Sequence, residues 1–182
     1  MVEEERIRQV SENAEPVFAC YRCQHCARDT VGLDPDGDHP RCHDEPMLEI
    51  GPPDRAVTRD TLGTFLADTA GIPRAGTDTC YALYGDGLRS VAATADGVGR
   101  PPDTVRSHLD RLVTAGHLSR IALACEDEEA ITLYHASDDG PGRPRTLAEF
   151  CRWAALAVDD ERPVGDSHQD LVTRFCDRFF RQ

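Results

Sequence analysis

The sequence contains no lysine, although it has 182 residues and 20 basic side chains, all of them arginine. It also has no apolar run of about 18 residues, the length that a membrane-spanning helix requires. The first residues, MVEEERIRQVSE, are acidic and lack the apolar region of a secretory signal peptide. We therefore expect a soluble, cytoplasmic protein without membrane contact, long enough for one medium domain or two small ones.

The short motifs of the common enzyme classes are missing as well. The sequence has no Gly-rich phosphate loop, no G-x-S-x-G elbow and no H-E-x-x-H helix. A catalytic metal site would need an open coordination position, whereas the cysteine-rich segment offers four protein donors for one ion. We therefore predict that the protein is not an enzyme.

Acidic residues dominate the charged side chains, and 33 Asp and Glu give the chain a net charge of −13. A lysine-free, Asp-rich composition resembles that of proteins from salt-loving archaea, in which surface carboxylates keep proteins hydrated. In dilute buffer such a charge would argue against a nucleic-acid partner. In molar salt the Debye length falls to about 3 Å, so the net charge does not exclude DNA and the local charge pattern decides.

A cysteine-rich segment between residues 18 and 47 contains half of the eight cysteines and three of the seven histidines. Four of these residues follow the spacing C-x2-C-x12-H-x2-C: Cys23, Cys26, His39 and Cys42. Two tight turns with three sulfurs and one nitrogen are typical of a structural zinc site. A reducing cytosol also favours metal ligands over disulfides. The register stays open, because Cys20-x2-Cys23 is a competing pair and His25 and His43 are spare donors.

The segment from Tyr21 to Met47 resembles the zinc-ribbon family with rubredoxin-like knuckles, whose usual form is YxCxxC…CPxCGxxM. His39 stands where that pattern has its third cysteine, and the proline that follows is kept. Ala27 and His43 stand where the family has turn glycines. The resemblance implies a closed site in which Zn²⁺ stabilises a small module that lacks a core of its own.

Residues 57–137 have the pattern of a mostly helical block that ends in two strands. A short helix, LRSVAATADG, is followed by the turn VGRPP and by a longer helix that Asp103 can cap. Val105, Leu109 and Leu112 recur at i, i+4 and i+7, so they form the buried stripe of the longer helix. Two apolar strand patterns follow, HLSRIALAC and AITLYHAS. This order predicts a helix-turn-helix followed by a hairpin wing.

The stretch from Pro102 to Leu118 resembles the winged helix-turn-helix family of prokaryotic regulators, whose hallmark is (S/P)xTVRxHLxxLxxAGxL. The resemblance implies that six residues contact the bases or phosphates of double-stranded DNA: Arg100, Thr104, Arg106, Ser107, Arg111 and Arg120. Residues 87–120 contain five Arg and three Asp, which leaves a local charge of +2. The acidic residues 126–129 differ from a basic wing, so we expect the wing to stay out of the minor groove.

The C-terminal segment, residues 146–182, carries two helical patterns with apolar stripes. The second stripe consists of Leu171, Val172, Phe175, Cys176, Phe179 and Phe180. A face of this kind is too apolar to remain in water, so it either completes the core of its own chain or pairs with a second chain. Because regulators of two-fold operators are dimers, we favour a homodimer through the C-terminal helices.

The predicted fold class is α+β, with an N-terminal zinc ribbon (17–50), a winged helix-turn-helix domain (57–137) and a C-terminal helical extension (146–182). Breaker-rich linkers are predicted at residues 51–56 and 138–145. This combination resembles haloarchaeal transcription regulators, and it implies a DNA-binding transcription regulator or a general transcription accessory factor. The alternative is a protein-interaction adaptor, in which the ribbon and the winged helix dock protein partners without contacting DNA.

Overall fold

The computed structural model describes residues 18–32, 39–50, 57–84, 87–125, 128–137, 144–159 and 168–181. Within these ranges the chain forms six α-helices and eight short β-strands in antiparallel sheets. The predicted α+β class is therefore confirmed. The predicted linker at residues 51–56 lies outside the described residues, and so does the predicted linker at 138–145 up to residue 143.

Five strands lie in the cysteine-rich module, which comprises residues 18–32 and 39–50. They are β1 (Ala19–Arg22), β2 (Asp29–Gly32), β3 (Arg41–Cys42), β4 (Glu45–Pro46) and β5 (Leu48–Glu49). The first sheet has the order β2-β1-β5, with Cys20 opposite Val31 and Arg22 opposite Leu48. Strands β3 and β4 pair with each other in a separate hairpin.

Both faces of strand β1 are buried. Successive side chains of a strand point to opposite sides, so the two faces of β1 pack against different neighbours. On one side, Phe18 (just before the strand) and Cys20 belong to the main hydrophobic core of the chain. On the other side, Ala19 and Tyr21 form a small cluster with Met47 and two cysteines of the module. The strand therefore lies between the main core and the cysteine turns.

The first two helices are α1 (Arg59–Ala70) and α2 (Arg74–Tyr84). Helix α1 begins with a capping box, in which the Thr58 hydroxyl accepts the Thr61 N–H and the Thr61 hydroxyl accepts the Thr58 N–H. It ends at Gly71, whose φ of 65° is the left-handed conformation that favours glycine at a helix end. The chain can therefore turn directly into α2.

The block that resembles a helix-turn-helix contains two helices and three strands. They are β6 (Arg89–Ser90), α3 (Val91–Val98), α4 (Pro102–Thr114), β7 (Leu118–Cys125) and β8 (Glu128–Ala136). Ser90 caps α3, and Gly99 ends it with a φ of 62°. The three strands form a sheet with the order β6-β8-β7, and the Tyr134 hydroxyl donates to Asp110 Oδ1 at 3.2 Å, which joins β8 to α4.

The apolar stripe predicted for the longer helix is confirmed. Val105, Leu109 and Leu112 are completely buried. The predicted cap is wrong by two residues, because Pro101 is the cap, α4 begins at Pro102, and Asp103 lies inside the first turn. Proline suits this position, since its fixed φ matches the helix and its missing N–H would have had no partner there.

The C-terminal helices are α5 (Leu147–Val158) and α6 (His168–Phe179), and both contribute to the main core. The ring of Phe175 in α6 lies 5.9 Å from Phe18 of the cysteine-rich module and 5.3 Å from Phe65 of α1, measured between centroids. One hydrophobic cluster thus draws residues from all three predicted segments. The apolar stripe of α6 is buried inside its own chain, so the predicted homodimer stays a prediction that this stripe does not support.

Candidate functional site

Four metal-donor side chains meet in the two turns of the cysteine-rich module: Cys23, Cys26, Cys42 and His43. Their donor atoms all lie within 4.8 Å of one another. Cys23 and Cys26 come from the turn after β1, Cys42 ends β3, and His43 begins the turn between β3 and β4. Three sulfurs and one imidazole at these distances could hold one metal ion.

Local backbone conformation explains why the two turns converge. Ala27, His43 and Asp44 have positive φ values of 53°, 55° and 61°, which tighten each turn directly after its cysteine. Two of these residues, Ala27 and His43, occupy the positions where the zinc-ribbon pattern has glycine. The backbone N–H of His25 also donates to Cys23 Sγ at 3.3 Å, so the first turn wraps around its sulfur.

The cluster differs from the predicted ligand set in one residue, because His43 takes part and His39 does not. His39 Nδ1 lies 3.2 Å from the Met47 carbonyl oxygen, and its ring centroid lies 5.3 Å from that of Tyr21. The left-handed backbone at His43 turns this residue back within the second turn, whereas His39 precedes β3. The sequence does contain a signal for His43, since this residue directly follows Cys42 and is one of the spare donors of the segment.

The thiols of the cluster influence one another. Desolvation raises the pKa of Cys23, but hydrogen bonds from the backbone of His25 and Cys26 and from the Cys26 and Cys42 side chains outweigh it and lower that pKa to about 7. Hydrogen bonding to Cys23 together with desolvation raises the pKa of Cys42 to about 11. Neighbouring thiolates repel each other, so a bound cation is what would allow all three sulfurs to ionise.

His25 and Glu45 form an ion pair at the exposed edge of the module. His25 Nε2 is 2.8 Å from Glu45 Oε2, and this hydrogen bond raises the pKa of His25 and lowers that of Glu45. The His25 ring also meets the His43 ring edge-on at 5.8 Å between centroids. His25 is therefore a neighbour of the cluster rather than one of its four donors.

The side chains predicted to contact DNA are at the surface of the protein. Thr104, Arg106 and Ser107 of α4 are exposed, on the side of the helix away from its buried stripe. Arg100 lies exposed in the turn before α4, and Arg120 lies exposed on β7. These five residues form a polar surface along α4 and its flanking segments.

The two arginines of α4 each have a carboxylate partner. Arg106 Nη1 lies 3.1 Å from Asp103 Oδ1, one turn earlier in the helix, and the Arg106 side chain is 56% exposed. Arg111 Nη2 lies 3.4 Å from Asp159 Oδ2 at the end of α5, and the Arg111 side chain is 41% exposed. Of the two α4 arginines, Arg111 pairs with a residue at the end of α5, whereas Arg106 pairs within α4 itself.

His108 has a structural position on the buried side of α4. Its Nδ1 lies 3.0 Å from the Thr79 hydroxyl of α2, and both residues are buried. Desolvation lowers the pKa of His108, and the positive charges of Arg111 and Arg100 lower it further. The imidazole therefore stays neutral and links α2 to α4.

Comparisons of the chain with protein-family models, with curated proteins and with solved structures found no match. In the part of the chain that the structure describes, no helix has both the length and the apolar character needed to cross a bilayer. The function must therefore be inferred from the two sites and their chemistry.

Proposed function

We propose that the protein is a DNA-binding transcription regulator that holds a structural zinc ion and presents α4 to double-stranded DNA. The observation that carries the proposal is the division of α4 into two sides. Its leucine stripe is completely buried, while Thr104, Arg106 and Ser107 remain exposed between a tight turn and a β-hairpin. In a winged helix-turn-helix domain this side of the second helix enters the major groove.

Zinc fits the geometry of the four donors. Zinc–sulfur bonds of about 2.3 Å at tetrahedral angles place two sulfurs about 3.8 Å apart. Cys26 Sγ and Cys42 Sγ are 3.8 Å apart. With His43 as the fourth donor, every coordination position is filled by protein, which is the arrangement of a structural site and leaves none for a substrate.

The charge pattern around α4 favours a phosphate partner. The local charge of residues 87–120 is +2, in a chain whose net charge is −13. The carboxylates that pair with Arg106 and Arg111 are exposed, and exposed ion pairs contribute only about 0–1 kcal/mol. A DNA phosphate can therefore replace Asp103 or Asp159 at little cost.

The proposal is tested by binding to a randomised duplex DNA library, with the metal-loaded chain, over a series of salt concentrations up to molar. We expect the wild type to retain and enrich duplexes, and the double variant Arg106→Ala/Arg111→Ala to lose this retention. Each lost phosphate contact should also reduce the slope of log K against log salt by about 0.9.

A matched control removes two exposed arginines that lie elsewhere, Arg28 in the cysteine-rich module and Arg174 in α6. Arg28→Ala/Arg174→Ala changes the net charge by the same amount as the α4 double variant. If both double variants lose duplex retention equally, the effect comes from net charge, and α4 is not the helix that contacts DNA.

A protein-docking adaptor is the second candidate, and the hairpin favours it. Ile121 and Leu123 of β7 and Ile131 of β8 are 43%, 47% and 45% exposed, and Leu123 lies opposite Ile131 in the register. Exposed apolar side chains next to one another are typical of protein contacts. If the wild type retains no duplex at any salt concentration, the adaptor is the better function.

A further inference from the structure

Two buried thiols from distant parts of the chain lie in contact. Cys20 in β1 and Cys176 in α6 are 156 positions apart in the sequence, yet their Sγ atoms are 3.4 Å apart. Both residues are buried, with 2% and 0% of their surface exposed. The contact joins the cysteine-rich module to the C-terminal helix.

Neither thiol belongs to the metal cluster, which uses Cys23, Cys26 and Cys42. Two other cysteines, Cys80 and Cys151, are equally buried. Burial raises the pKa of both, and a protonated thiol in an apolar core is inert. Cys20 and Cys176 differ from the ligand cysteines because they are not part of the cluster, and from Cys80 and Cys151 because their two sulfurs contact each other.

Positive charges lie close to the pair. Arg22 Nε lies 2.8 Å from Asp29 Oδ1, and Arg181 also pairs with Asp29, whose side chain is 6% exposed. The hydrogen bond from Cys176 lowers the pKa of Cys20 against the effect of burial, and Arg181 and Arg22 lower it further. Hydrogen bonding to Cys20 raises the pKa of Cys176. These effects favour Cys20 as the thiol of the pair that ionises more readily, with Cys176 as its hydrogen-bond partner.

We propose that Cys20 and Cys176 are a redox-active dithiol, which hydrogen peroxide converts to a disulfide that fastens β1 to α6. Cys20 gives up its thiol proton and attacks one peroxide oxygen as the thiolate, the O–O bond breaks, and the departing hydroxide takes up that proton to give water and a Cys20 sulfenic acid. Cys176 then attacks the Cys20 sulfur, the S–O bond breaks, and the hydroxide leaves with the Cys176 proton as a second water. Two thiols lose two electrons in total, and one peroxide is reduced to two waters.

The geometry requires only a small movement. A disulfide has an S–S length of about 2.05 Å, so the two sulfurs, now 3.4 Å apart, must approach by about 1.4 Å. Reduction by a small thiol or by a thioredoxin-type protein would return both thiols. The cysteine-rich module would thus be joined to α6 by a disulfide in the oxidised chain and by packing alone in the reduced chain.

The test uses the full metal-loaded chain, treated with a modest excess of hydrogen peroxide and quenched with catalase. Remaining thiols are alkylated under denaturing conditions, and peptides are mapped by mass spectrometry without reduction. We expect the loss of two free thiols per chain and a cross-linked peptide pair that contains Cys20 and Cys176. The oxidised chain should also migrate faster on a non-reducing gel, because a large loop is closed.

Variants separate the proposed roles. Cys176→Ser should leave a Cys20 sulfenic acid that dimedone traps, and Cys151→Ser, a change at an equally buried cysteine, should still form the cross-link. The proposal is overturned if peroxide links Cys26 to Cys42 while Cys20 and Cys176 both remain alkylatable. It is also overturned if no thiol is lost. The peptide map of the oxidised wild-type chain distinguishes these outcomes even if a variant does not fold.

Discussion

The assignment of the fourth metal donor can be tested by replacing each candidate histidine with asparagine. His43 has a φ of 55°, and asparagine is one of the few residues that tolerates this conformation. His43→Asn therefore removes the imidazole without straining the turn. His39→Asn is the matched control, because it removes the other histidine of the same module.

The size of the effect follows from linkage between metal binding and folding. Loss of a ligand should weaken the metal affinity by at least about 100-fold, since even residues that only support a ligand contribute about 10–100-fold. Each factor of ten is about 1.4 kcal/mol, so His43→Asn should lower the free energy of unfolding by about 2.8 kcal/mol or more. For a chain of this length, that lowers the thermal midpoint by about 5–11 °C.

His39→Asn should behave differently, because His39 Nδ1 hydrogen-bonds to the Met47 carbonyl oxygen and is not one of the four clustered donors. Its loss should lower the free energy of unfolding by about 0.5–1.5 kcal/mol and leave the ion in place. The deciding assay is the metal content per chain after gel filtration, with chelator titration as a second measure. A chain that keeps its ion as His43→Asn and loses it as His39→Asn would refute the arrangement of Cys23, Cys26, Cys42 and His43.

Two further predictions concern packing and pH. A Cβ at Gly76 would lie 2.6 Å from the Ala154 carbonyl oxygen and 2.7 Å from Val158 Cγ1, so Gly76→Ala should lower the free energy of unfolding in urea by about 1–3 kcal/mol. Gly63→Ala, whose Cβ would meet nothing nearer than 3.6 Å, should instead raise it by about 0.5–1 kcal/mol. Burial lowers the pKa of His108, so the unfolded state binds a proton more readily and stability should fall as the pH drops below about 6.5. His108→Gln should make the thermal midpoint less dependent on pH over that range, and an unchanged slope would contradict this assignment.

Sequence patterns predict the second half of the fold well, because its signals are local. The spacing of Val105, Leu109 and Leu112 carries both the helical period and the burial of α4. Gly99 and Gly116 have φ values of 62° and 79°, so the glycines that mark the turns in the sequence are the residues that make them. Each of these features depends on residues within one or two turns of helix.

The choice of metal donor is harder to predict, because spacing alone allows two histidines. His39 has the familiar two-residue separation from Cys42, and His43 is adjacent to it. The difference lies in backbone conformation, since a left-handed residue at position 43 is expected to be glycine and here is histidine. A non-glycine residue at such a position is uncommon, and it is a reason to examine the side chain for a role.

The packing of the cysteine-rich module against the helices cannot be predicted from local sequence patterns. Phe18 meets Phe175 and Cys20 meets Cys176 across more than 150 positions of sequence. The apolar stripe of α6 predicts burial but does not say what buries it. In this chain the partner is the module itself together with α1, which is why the same stripe was compatible with a second chain.

The two faces of β1 connect the metal cluster to the stability of the whole chain. The turn that follows β1 carries Cys23, so an ion that orders this turn also fixes the strand. The strand places Cys20 in the main core, and the adjacent β2 holds Asp29, whose carboxylate pairs with Arg181 beyond α6 and whose carbonyl accepts from Gln169 at 3.2 Å. Because Cys20 and the Asp29 carboxylate are buried, the module cannot lose its order without separating apolar side chains and a buried carboxylate from their partners. A metal ion bound by these four residues would therefore support the packing of α6, and through α5 the position of α4, rather than a small module alone.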